Sequence, residues 1–113
     1  MIEMTRNLVV VLLATVGLSA AQGPQTFTGT ITDHMCAAAG SHARMRMGPT
    51  DAECVRACVI GHDAMYVLLD GKDTYTLSDQ VTPAKFAAQK VSVVGILDAK
   101  TKTIRVESIS AAQ

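Results

Sequence analysis

The chain has no tryptophan, only two tyrosines and two phenylalanines, and no excess of either charge, with ten Lys and Arg against ten Asp and Glu. Without a basic field it lacks the electrostatic footprint of a nucleic-acid binder. Without aromatic platforms it lacks the stacking surface of a single-strand binder. No G-x-S-x-G, no phosphate-cradling glycine loop and no H-E-x-x-H occurs, so the usual signatures of hydrolytic and transfer chemistry are missing. There is also no Cys-x-x-Cys, hence no support for a thioredoxin-like pair or a covalent haem. Asp70, Asp73 and Asp98 fall in turn sequences and read as solvation, not as a catalytic pair. These absences leave a binding or structural module as the expectation, rather than an enzyme.

A long hydrophobic run is missing too. Leu8 to Leu18 (LVVVLLATVGL) is well short of the roughly 20 apolar residues a membrane span needs. It follows Arg6 and precedes Ser19-Ala20-Ala21, which puts small residues at the −3 and −1 positions of a cleavage site. Residues 1–21 are therefore expected to be a secretory signal peptide, and residues 22–113 a single exported domain. A retained N-terminal anchor is the alternative, but no cysteine sits at the cleavage point to carry a lipid. The expected location is secreted or periplasmic, in a bacterial cell envelope, with no stable membrane anchor after cleavage. A domain of this size has a modest core and benefits from a cross-link or a metal.

What the chain does hold is concentrated between Asp33 and His62. All three cysteines, all three histidines and three of the six methionines lie there. Thr50 with Glu53 three residues on forms a capping-box pattern, and Asp51 and Glu53 place negative charge in a first helical turn. Gly61 stands where a left-handed residue would end the helix. The spacing predicts a helix from about Thr50 to Ile60, with Cys54 and Cys58 stacked on one face.

The rest reads as β-scaffold. Phe27 to Thr32 alternates with period two, as a half-buried strand does. Gly29 on its inward face marks a bend or bulge. Ala64 to Leu69 is a second, nearly all-apolar strand. Asp70-Gly71 is a turn signal, and Thr74 to Leu77 returns as a third strand. Thr82-Pro83 predicts a helix start, with a short helix over Pro83 to Gln89 burying Phe86. Lys90 to Leu97 is a fourth strand. Thr103 to Ile109 is a fifth, with Ile104, Val106 and Ser108 on one face.

Five strands with a short helix between the third and fourth is the order of an OB-fold barrel. The expected class is thus mainly β, a five-stranded OB-like barrel with a Cys-bearing helical insert (residues 33–62) between strands one and two. The segments TFTGTITD, Asp33-x-x-Cys36, TDAECVRAC, YVLLDGKDTYTL, VSVVGILD and TIRVESI together resemble the small secreted bacterial OB-fold-like domains of uncharacterised function. The resemblance implies glycine after the first cysteine, where this chain has Ala37.

Two readings of the insert stand side by side. In the first, Cys36, Cys54 and Cys58 bind a soft ion such as zinc or copper, because thiolate and imidazole suit these metals. His42 is the preferred fourth ligand, with His62 and His34 as alternatives. His42, Met45 and Met47 form an H-x-x-M-x-M run that hints at copper handling. Arg44, Arg46 and Arg56 lie near the thiols in sequence, where positive charge favours thiolate. In the second reading a disulfide, Cys36 to Cys54 or Cys58, staples the insert and contributes roughly 2–4 kcal/mol. A bridge between Cys54 and Cys58 strains disulfide geometry. Three is an odd number, so any one bridge leaves a thiol over, which keeps a thiol-redox role open.

Overall fold

Strand propensity carries further than the alternating runs alone. A computed structural model describes residues 23–40 and 47–113. In it β1 spans Gln25–Asp33, β2 Tyr66–Asp70, β3 Asp73–Leu77, β4 Lys90–Asp98 and β5 Thr103–Ala111. The strands follow one another as β1-β2-β3-β5-β4, and β4 pairs with β1 so that the sheet closes in a ring. Neighbours are antiparallel except β3 and β5, which run parallel through Thr76↔Thr103 and Leu77↔Ile104.

Inward residues of all five strands meet inside the ring. Ile31, Leu68, Leu77, Val91, Val93 and Ile104 are each inaccessible to solvent. Each such aliphatic side chain is worth about 1.5–3 kcal/mol over its exposed state. Gly29 lies where β1 crosses tightly over β2. A Cβ there would stand 2.5 Å from the Leu69 carbonyl oxygen, so no larger residue fits without moving backbone.

The fifth strand departs from simple alternation. Its register against β4 shifts between Val94 and Gly95, which face Ser108 and Val106. Glu107 is thus the extra residue of a β-bulge, and the inward face changes parity there. Ser108 is exposed and Ile109 turns half inward, correcting the expectation that Ser108 shares a face with Ile104 and Val106.

Among the described residues, two α-helices lie between β1 and β2. α1 covers His34–Ala39 and ends at Gly40, which takes the left-handed conformation with φ 85°. α2 covers Asp51–His62. It passes through Gly61 and stops at Asp63, whose φ is 52° and whose N–H returns to the Cys58 carbonyl. The capping box is half formed. Thr50 Oγ1 accepts from Glu53 N at 3.2 Å, while its hydroxyl, not its N–H, donates to Glu53 Oε2 at 3.0 Å.

Between β3 and β4 the helix is a 3-10 turn over Thr82–Phe86, shorter and tighter than the α-helix expected to Gln89. Val81, not Thr82, holds the N-cap position and no side chain caps it, while Asp79 just ahead accepts through Oδ1 from Val81 N and Thr82 N at 2.9 Å each. Pro83 is its buried residue, Ala87 just after it is buried too, and Phe86 is only half-buried. Arg56 of α2 donates through Nε to the Ala84 carbonyl at 3.0 Å, tying the insert to this turn.

Candidate metal centre

Asp33 ends β1 and begins α1. Its Oδ1 accepts from Met35 N at 3.0 Å and from Cys36 N at 2.9 Å, an N-cap that fixes where Cys36 points. On α2, Val55 enters the core of the ring. That choice of face turns Cys54 and Cys58, one helical turn apart, towards α1. Ala64 packs with all three cysteines, and Met35, Met47 and Val59 close around them half-buried.

The result is a compact sulfur cluster. Cys36, Cys54 and Cys58 are 3%, 1% and 0% exposed. Cys36 Sγ lies 3.8 Å from Cys54 Sγ, and all three sulfurs lie within 4.8 Å of one another. No disulfide joins them. A zinc–thiolate bond of about 2.3 Å in a tetrahedron sets neighbouring sulfurs about 3.8 Å apart, the separation of Cys36 and Cys54, so the trio is compatible with the ligands of one ion.

The electrostatics oppose spontaneous thiolate formation. Burial, reinforced by the adjacent Asp33 carboxylate, pushes the Cys36 thiol far above its ordinary value. Burial and then the Asp33 charge push Cys58 up as well. This runs against the expectation that arginine would favour thiolate, and Arg56 bonds the Ala84 carbonyl instead. A bound cation would reverse such a balance, by holding the sulfurs as anions against its own charge.

The two described histidines, His34 and His62, stand apart. His34 is exposed at the start of α1, and its Nδ1 accepts from Met65 N at 3.0 Å. His62 is exposed at the end of α2. Neither belongs to the cysteine group. His42, Arg44, Met45 and Arg46, like the signal-peptide segment 1–21, lie outside the described residues. Met47 is described, and it packs against the sulfurs.

One functional residue was missed by reading the sequence. Asp33 looks there like a strand terminator, yet its side chain is 0% exposed. Its Oδ2 is the one buried side-chain nitrogen or oxygen without a hydrogen bond among the described residues. The Asp33-x-x-Cys36 spacing, an N-cap followed by the residue whose N–H it binds, was the available signal. A cleft of about 460 Å³ between β1, α1 and the β2–β3 turn reaches the cluster's edge at Cys36. Thr30, Thr32, Cys36, Gly40, Lys72 and Thr74 line it.

No family model, curated protein or solved structure matches the chain. The functional reading therefore rests on the chemistry of the cluster.

Proposed function

We propose that this protein is a small exported envelope module whose Cys36, Cys54 and Cys58 bind one soft or borderline metal ion, zinc or copper. The observation that carries the reading is the buried trio of sulfurs within 4.8 Å of one another. Thiolate ligands select such ions over calcium and magnesium. The ion joins α1 and α2 to the end of β1, so binding energy becomes folding energy of the insert. The ring order, with the cysteine helices between β1 and β2, supports an OB-like reading of the scaffold. The apolar run at residues 8–18, with small residues after it, supports export.

A second reading has its own observation. The 3.8 Å approach of Cys36 and Cys54 makes them the pair that an oxidant would join, leaving Cys58 as the odd thiol. Titrating reduced, metal-free protein with cobalt(II) separates the two. The metal reading expects a sulfur-to-cobalt charge-transfer band that saturates at one equivalent and collapses in Cys58→Ser. Absence of the band, with rapid conversion to a species two mass units lighter, overturns it in favour of the disulfide.

A further inference from the structure

We infer that Asp33 is the fourth ligand of the cysteine cluster, which makes the centre a closed thiolate–carboxylate site for zinc rather than copper(I). This rests on the metal reading above and goes beyond it in naming the ligand and the ion.

Three observations converge on the residue. Asp33 is wholly buried, although aspartate is almost never so without a partner for its charge. Its two oxygens are unlike: Oδ1 is fully occupied by the Met35 and Cys36 N–H groups, while Oδ2 has no hydrogen bond. A cap needs only one oxygen, so capping leaves the burial of the other unexplained. An orphaned buried carboxylate oxygen is costly, and a bound ion is one of the few things that accounts for it. Finally, the Cys36 N–H that Asp33 holds belongs to a sulfur ligand, so one residue both orients the trio and adjoins it.

The ion's identity follows from charge and hardness. Three thiolates and a carboxylate bring four negative charges into a buried pocket. A divalent ion leaves two of these uncompensated and a monovalent ion three, and buried uncompensated charge is expensive. Carboxylate oxygen suits zinc and is a poor partner for copper(I), which prefers thioether and thiolate sulfur. Met35 and Met47 pack beside the cluster, and they are the ligands a copper(I) site would recruit instead. The Asp33 carboxyl stands outside the set of atoms lying within 4.8 Å of one another, so ligation requires it to move inward.

The test is zinc X-ray absorption on the zinc-loaded protein, paired with three variants. The expected first shell is three sulfurs at about 2.3 Å and one oxygen at about 2.0 Å, with no imidazole multiple scattering. Asp33→Asn keeps an oxygen to cap α1 and should weaken zinc more than tenfold in competition with a chromophoric chelator. Asp33→Cys should convert the shell to four sulfurs, and His42→Ala should leave it unchanged. Imidazole scattering that vanishes in His42→Ala would overturn the assignment and leave the cysteine site intact. So would an Asp33→Asn protein with unaltered zinc affinity, or tighter binding of copper(I) in an all-sulfur shell. A wild-type protein that takes up no metal would overturn both this assignment and the metal reading beneath it.

Discussion

At the scale of single residues, the chemistry comes from a contradiction in the cluster's surroundings. The thiols of Cys36 and Cys58 are buried beside a carboxylate, and both effects hold the proton on sulfur. Metal uptake must therefore displace protons, so affinity should rise with pH and fall on acidification. Zinc competition titrations between pH 6 and 8, in buffers of different ionisation enthalpy, should show proton release on binding. Affinity independent of pH would mean that the sulfurs are not the ligands. Gly29 makes a second residue-scale case. Gly29→Ala places a methyl against the Leu69 carbonyl and should cost about 1–3 kcal/mol in urea unfolding, with metal stoichiometry unchanged.

At the scale of elements, two polar side chains hold the β3–β4 connection where the sequence shows only a loop. Gln80 Oε1 accepts from Tyr66 N at 2.8 Å, and its Nε2 donates to the Tyr66 and Leu77 carbonyls at 3.0 and 2.8 Å. It thereby latches the start of β2 to the end of β3. Gln80→Ala strands these backbone groups and should destabilise by about 1–3 kcal/mol, read as a lowered urea midpoint. Asp79 holds the Val81 and Thr82 N–H groups where the following 3-10 turn begins. Hydrogen bonds from Thr82, side chain first and then backbone, hold its carboxyl below the ordinary carboxylate value. A depressed folded-state pKa stabilises above the unfolded pKa of 3.8 and is lost as pH falls through the lower, folded value. Asp79→Ala should accordingly cost about 1 kcal/mol at neutral pH and should lessen the acid sensitivity of the melting temperature below pH 4.

The same elements show what sequence reading reaches. Period-two strands, the Asp70-Gly71 turn and the Thr50–Glu53 helix start are local signals, and each has an observed counterpart within a few residues. Cys54 and Cys58 share a helix face for the same reason. What escaped depends on tertiary neighbours. Gly61 does not end α2, because Asp63 takes the left-handed turn instead. Glu107 bulges against β4, and nothing in TIRVESI announces it. Asp33 reads as a polar strand end because burial, not residue type, makes it notable. The histidines attract attention by type alone, yet His34 and His62 lie on the surface.

For the whole molecule, two apolar clusters divide the labour. The ring core of Ile31, Leu68, Val91 and their neighbours stands without the sulfurs, and the cysteine cluster with Ala64 forms a separate group against it. Val55, with Ala52 and Val59 half-buried beside it, and the Arg56–Ala84 hydrogen bond are what α2 shares with the ring side. Removing the metal should therefore loosen the insert first. A chelator is expected to lower the melting temperature and expose amides of residues 33–62 to hydrogen exchange, while the strand signal in far-UV circular dichroism persists. Uniform loss of protection over all five strands would contradict this division.

The most direct test of the central claim is native mass spectrometry of the protein isolated, without reduction, from the compartment that holds it. The account predicts one zinc ion per chain, lost on acidification together with the masking of three alkylatable thiols. A metal-free chain two mass units light, with a single alkylatable cysteine, would contradict it.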